Sequence, residues 1–203
     1  MYRGEYPYNR DCTAFDWEKD FIDDQPLRSG DAVLISLPFS GSGDVHPQWD
    51  GLLAACEKLE IPIFVDCAFF GTCGGVQVDL NHPNILFVAF STTKGLSCGS
   101  YRSGILFSKE PGGHLSVQTQ WHHGIHLNSS IGLYLMKNYS PDYLYNKYRS
   151  AYIKACEHFE LAPTKCVHLA LGNQDWDAFT RDGVFNRVGM RNAVKAQFKG
   201  ELR

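Results

Sequence analysis

Residues 88–107 read VAFSTTKGLSCGSYRSGILF. An apolar run breaks off at Ser91-Thr92-Thr93-Lys94, crosses a loop rich in glycine, serine and cysteine, reaches Arg102 and turns apolar again. The first run has the length and composition of a buried strand. In a parallel α/β sheet, ligands gather outside the carboxyl ends of the strands. A lysine placed there, with hydroxyls before it and an arginine eight positions on, is a set of groups that call for partners.

Working outward, the chain alternates. Residues 31–39 form a short apolar run, a strand. Residues 44–60 carry Trp49, Leu52, Leu53 and Cys56 at helical spacing, with Pro47 suited to a first turn. Residues 61–69 and 84–91 are two further buried strands. Residues 103–109 form a fourth, antiparallel to its neighbour because only a short loop separates them. Continuous apolar strands alternating with a helix predict an α/β fold, a mostly parallel sheet flanked by helices on both faces. Residues 130–160 are helical and amphipathic, broken at Pro141. Residues 167–172 and 175–192 then read as strand, short helix and strand, a small α+β C-terminal lobe. The division expected is 1–145 and 146–203, with 1–30 an irregular segment lying along an interface.

The 203 residues, 44% hydrophobic and 20% charged, have an ordinary globular composition. A net charge of -3 gives no electrostatic reason for a nucleic-acid or anionic-membrane partner. No apolar run approaches the ~20 residues that span a bilayer, and the polar, aromatic start is not a signal peptide. Seven scattered cysteines, including Cys12, with no CxxC pair, read as reduced thiols in a cytoplasmic setting. His122, His123 and His126 lack a fourth ligand at a suitable spacing, so no metal site is expected.

Three residues carry the chemistry. Asp66 follows an apolar run, where a carboxylate is costly unless a cation or donors face it; alone it reads equally as a helix cap. Lys94 alone reads as a solvated loop lysine, and Arg102 as a surface arginine opposite Glu110. Together they match one ligand. A partly desolvated lysine amine near other cations condenses with an aldehyde. An aspartate facing a pyridine nitrogen keeps that nitrogen protonated, and hydroxyls with an arginine suit a phosphate. Pyridoxal phosphate presents all three handles.

At these residues the chain resembles the second half of a fold-type-I pyridoxal-phosphate enzyme of the aspartate-aminotransferase-like class. The family's Ser-x-x-Lys with an arginine eight residues beyond the lysine appears as Ser91, Lys94 and Arg102. Its Asp-x-Ala-Tyr strand end appears as Asp66-Cys67-Ala68-Phe69, and its upstream Asn-Pro-Thr-Gly turn as Ser40-Gly41-Ser42-Gly43. The resemblance implies that residues 1–145 are part of a large cofactor-binding domain. It implies that Lys94 forms the Schiff base and shuttles the substrate's proton, that Asp66 pairs with the ring nitrogen, and that Ser91 and Arg102 hold the phosphate. Ser40, Ala68 and Phe69 would border the cofactor. Arg187 or Arg191 would grip the substrate carboxylate. Arg187 stands before an apolar turn and Arg191 also fits a strand pattern, so both stay candidates.

The chain departs from that pattern. The donors to the cofactor's 3′-oxygen become Ser40, a shorter donor, and Phe69, which donates nothing. Members of the family are longer, and the expectation is a truncated or partial chain lacking the N-terminal phosphate loop and the aromatic that stacks on the ring. Tyr6, Tyr8 and Trp17 lie too close to the strand at Pro38 to be that aromatic. The family implies a homodimer, with Asn128 and Ser129 near the partner. The function expected is an aminotransferase acting on an amino acid and a 2-oxo acid. A catalytically impaired homologue that keeps the fold, and another enzyme of this fold such as a decarboxylase or carbon–carbon lyase, stay open.

Overall fold

A computed structural model describes residues 1–6, 21–96, 98, 100–101, 103–121 and 126–202. The readings that fell on Tyr8, Cys12, Trp17, Arg102, His122 and His123 lie outside the described residues. β1 (Val33–Ser36), β2 (Ile63–Cys67) and β3 (Ile85–Ser91) pair in parallel, Val33 opposite Ile63 and Asp66 opposite Ala89. β4 (Gly104–Ser108) returns antiparallel along β3, with Ser91 opposite Gly104, as the short intervening loop requires. The order β1-β2-β3-β4 gives the mostly parallel sheet expected from the sequence.

α1 (Trp49–Leu59) covers one face. Its Trp49, Leu52 and Cys56 share a core with Val33, Ile35, Ile63, Val65 and Ile85, and each such side chain contributes about 1.5–3 kcal/mol by leaving water. Glu60 ends α1 in the left-handed conformation, its N–H returning to the carbonyls of Cys56 and Glu57. The opposite face corrects the expectation of a sheet buried on both sides. Alternation puts Phe64 there, 37% exposed, and all five residues of β4 are exposed, Phe107 at 58%. α3 (Gly113–Trp121) buries no residue and α4 (His126–Asn138) buries only Gly132, so neither closes that face.

After Pro141 the chain enters α5 (Tyr143–His158). It then builds an antiparallel sheet from β5 (Ala162–Pro163), β6 (Leu169–Leu171), β7 (Thr180–Arg181) and β8 (Phe185–Gly189), in the order β5-β6-β8-β7. A 3₁₀ segment, Gln174–Phe179, precedes β7. This is the α+β arrangement expected, with one addition. α6 (Arg191–Lys199) follows β8 directly and packs against α5, burying Val194. Tyr152 of α5 anchors the sheet: its hydroxyl donates to the Leu169 carbonyl at 2.8 Å and accepts from the Thr164 N–H at 2.7 Å.

The two sheets meet at one seam. Cys73 and Cys166 face each other across an antiparallel bridge, and the Val167 N–H reaches the Thr72 carbonyl at 3.0 Å. Phe69, Cys73, Cys166 and Leu169 fill the seam. Among the described residues, no helix is long and apolar enough to cross a membrane.

Candidate functional site

The carboxyl ends of the three parallel strands open onto one cavity of about 720 Å³. β2 delivers Asp66. Its carboxylate is fixed from both sides, Oδ1 accepting from the Ala68 N–H at 2.9 Å and Oδ2 from the Tyr6 hydroxyl at 2.9 Å. β3 delivers Ser91, whose Oγ caps a single helical turn, α2 (Thr92–Gly95), by accepting from the Thr93 N–H at 3.1 Å. That turn carries Lys94. It can sit against the 3₁₀ turn Phe70–Thr72 because both contacting residues are glycines: a Cβ on Gly95 would lie 2.8 Å from the Cα of Gly71. The glycine pair therefore sets the height of Lys94 above the strand end.

The Lys94 Nζ lies 4.0 Å from the centroid of the Phe69 ring. On the same ring, the guanidinium of Arg187 stands 5.9 Å away and the His168 imidazole meets it edge-on at 4.5 Å. Arg187 comes from β8, and its Nη1 donates to the Ser40 carbonyl at 2.8 Å. Ser40 is itself held by Glu5. The Glu5 carboxylate, wholly buried, accepts from the Ser40 N–H at 3.2 Å, from the Ser36 N–H at 2.8 Å and from the Ser36 hydroxyl. Burial is the main cause that raises the Glu5 carboxyl above the usual carboxylate range; the serine donors act against it.

Of the residues singled out from sequence, Ser40, Asp66, Ala68, Phe69, Ser91, Lys94 and Arg187 all line the cavity. Arg102 lies outside the described residues. Arg191 does not belong: it is exposed and opens α6, where a strand had been expected to run on. Apolar Val194 turns inward and helix-forming residues surround it, so the period there is helical. Asn128 and Ser129 lie in α4, which closes no part of the cavity.

Sequence reasoning missed four contributors. Tyr6 lies sixty residues from Asp66 in the chain, and no local pattern connects them. Arg181 also lines the cavity, and its signal was present: Asp182-Gly183 marks a hairpin. The register pairs Arg181 with Phe185, so it shares a face with Arg187. Glu5 acts beneath the surface. His168 is half-buried; its Nδ1 atom is shut off from solvent with no hydrogen-bond partner among the described residues, and its pKa falls to about 3. Desolvation is the chief cause, followed by the charges of Lys94 and Arg187.

A carboxylate, a primary amine and a capping hydroxyl on adjacent strand ends form a donor set that fits a protonated heteroaromatic ring bearing an aldehyde and a phosphate. Three solved structures share the fold. An aspartate aminotransferase from Thermotoga maritima superposes with a TM-score of 0.63 at 13% identity, covering 88% of this chain and 57% of that one. A pyridoxal-phosphate-bound C–S lyase from Staphylococcus hominis gives 0.57 at 11% identity, covering 83% and 53%. An aminotransferase from Staphylococcus aureus gives 0.55 at 13%, covering 92% and 62%. The chain thus spans about 53–62% of the length of these structures. No family model matches the sequence, and no curated protein matches it.

Proposed function

We propose that the chain is the lysine-bearing part of a pyridoxal-phosphate-dependent aminotransferase, moving an amino group between an amino acid and a 2-oxo acid. The observation that carries this reading is the convergence of Asp66, Ser91 and Lys94 on one cavity that Arg187 also enters. When bound, pyridoxal phosphate supplies an electron sink conjugated to the substrate's amino carbon. Every other role falls to the chain. Asp66 would hold the proton of the ring nitrogen. Ser91 and Thr93 would offer hydroxyls to the phosphate, with Arg102 as the remaining anchor expected from sequence. Lys94 would be the amine that holds the cofactor, and it would hold or move the proton at the substrate's α-carbon. Arg187, braced by the Ser40 carbonyl, offers its guanidinium to the substrate carboxylate.

The reading includes a homodimer in the cytoplasm. Leu115 and Trp121 of α3 and Leu127 and Tyr134 of α4 are exposed at 55–70%, and β4 is exposed along its whole length; apolar surface of this extent supports a second copy covering it. The free cysteines among the described residues fit a reducing compartment. Sedimentation velocity tests the dimer, and a monomer at micromolar concentration removes it.

The test is direct. The purified chain is mixed with pyridoxal phosphate, and absorbance is followed at about 400 nm, the usual region for this chromophore bound to a lysine. The band forms in wild type and is absent in Lys94→Ala. A panel of amino acids then bleaches it by half-reaction. A chain that forms no Lys94-dependent band does not bind the cofactor in this way.

Two other readings have specific support. A C–S lyase shares the fold, and release of thiol, pyruvate and ammonia from a sulfur amino acid, with no amino transfer, would favour it. A catalytically impaired homologue is favoured by Phe69, which presents a ring face to Lys94 and carries no hydroxyl. Cofactor binding with no conversion by any amino acid in the panel would select that reading.

A further inference from the structure

Residues 4–6 form a short strap at the cavity, which Tyr6 lines. The Gly4 N–H donates to the Asp182 carboxylate, and the Gly4 carbonyl accepts from the Ser40 hydroxyl at 3.4 Å. Glu5 is wholly buried, with Ser36 and Ser40 as its donors. Tyr6 follows in the left-handed region, at φ 47°, a conformation that costs a non-glycine residue energy and persists only where its surroundings impose it. The anchors at Gly4 and Glu5 are independent of Asp66. They fix the backbone from which the Tyr6 side chain reaches into the cavity and places its hydroxyl 2.9 Å from Asp66 Oδ2.

The Ala68 N–H already holds the other oxygen at 2.9 Å. With one donor on each oxygen, the carboxylate plane cannot rotate, and each oxygen keeps a lone pair free. The phenol does not titrate in the working range: burial, then the charges of Glu5 and Asp66, raise its pKa well above the ordinary value. It remains a donor at every pH the protein meets.

We infer that Tyr6 is a positioning residue for Asp66, holding the carboxylate so that its free lone pair addresses the ring N–H of a protonated heteroaromatic ligand. The inference rests on the proposed pyridoxal-phosphate reading and adds a residue from the N-terminal strap to it. Tyr6 acts through Asp66, so its effect falls on one ligand atom, the ring nitrogen.

That atom supplies the test. The full chain is titrated with pyridoxal phosphate and with its deaza analogue, in which C–H replaces the ring nitrogen, and binding is read by fluorescence. Wild type prefers the pyridine. In Tyr6→Phe, whose ring preserves packing and whose thermal midpoint is read alongside, that preference falls about tenfold, the worth of one hydrogen bond to a charged group. Affinity for the deaza analogue stays within about twofold. Tyr6→Gln, which keeps a donor without the ring, retains part of the preference. Equal loss for both ligands in Tyr6→Phe, an unchanged preference, or a Tyr6→Gln as defective as Tyr6→Phe overturns the inference. If wild type binds both ligands equally, the role of Asp66 fails, and Tyr6 has nothing to position. If wild type binds neither, the cofactor reading itself fails and takes this inference with it.

Discussion

The Lys94 ammonium rests 4.0 Å from the centroid of Phe69, and the His168 ring meets that phenyl edge-on at 4.5 Å. One aromatic ring thus separates a cation that must stay accessible from an imidazole that must stay neutral. A ring face attracts a cation by about 0.5–2 kcal/mol, more as water is excluded. Phe69→Leu is expected to lower stability in urea by about 2–3 kcal/mol, combining the lost cation contact with a small cavity at a buried site. A double-mutant cycle with Lys94→Met isolates the pair, with a coupling of about 0.5–2 kcal/mol. Zero coupling would make the contact incidental.

The burial of His168 has a consequence in acid. Its folded pKa of about 3 is below the ordinary 6.5. Below pH 6.5 the unfolded chain therefore takes up a proton that the folded chain refuses. The stability this group contributes is complete above about pH 6.5 and is lost progressively as pH falls toward 3. The full loss is up to about 4–5 kcal/mol. Glu5 works in the opposite sense: its raised pKa favours the fold at low pH and costs stability as pH rises through the folded value. Denaturant melts of wild type and His168→Phe from pH 7.5 to 4 separate the two. The variant should lose distinctly less stability across that range, and parallel curves would show that His168 is not the group responsible.

Gly95→Ala tests how Lys94 is placed. A Cβ there would sit 2.8 Å from the Gly71 Cα and 3.0 Å from the Gly71 carbonyl carbon and oxygen, all of them backbone atoms. Neither turn can yield by rotating a side chain, so the two must separate. The expected cost is about 1–3 kcal/mol in stability. Pyridoxal-phosphate affinity should fall with it, since the lysine moves with the turn. Undiminished affinity in a destabilised variant would show that the spacing serves the fold alone.

The two candidate arginines separate cleanly. Arg187→Met should raise the amino-acid concentration needed for half-reaction by about tenfold or more, since a guanidinium–carboxylate pair is lost. Arg191→Met, at an exposed position on the first turn of α6, should change it by less than about twofold. Equal effects would remove Arg187 from the carboxylate role.

Much of this site was legible because its main residues stand at strand ends. Apolar runs closing at Asp66 and at Ser91-Thr92-Thr93-Lys94 declare both the strand and its polar terminus, and along β2 the alternation of burial then fixes which side chains share a face. The same logic misread Arg191, since a short strand followed at once by a helix leaves too few residues for either period to assert itself. It also overstated the cover on the sheet. An apolar strand records a capacity for burial, and whether an element lies over Phe64 and Phe107 depends on the rest of the fold.

The sequence by itself determined the alternation of strand and helix, the antiparallel return of β4, and the two polar strand ends, one at Asp66 and one at Ser91 to Lys94, because each is written in residues that are neighbours in the chain. Only the tertiary structure decided that Tyr6 reaches Asp66, that Glu5 holds Ser40, that Arg181 joins Arg187, and that His168 stands neutral behind Phe69. These pairings, apart from the hairpin that aligns the two arginines, join segments 35 to 99 positions apart in the chain. No short-range period or turn encodes such a contact. It exists because burying the apolar faces of two sheets brings their polar ends to one seam.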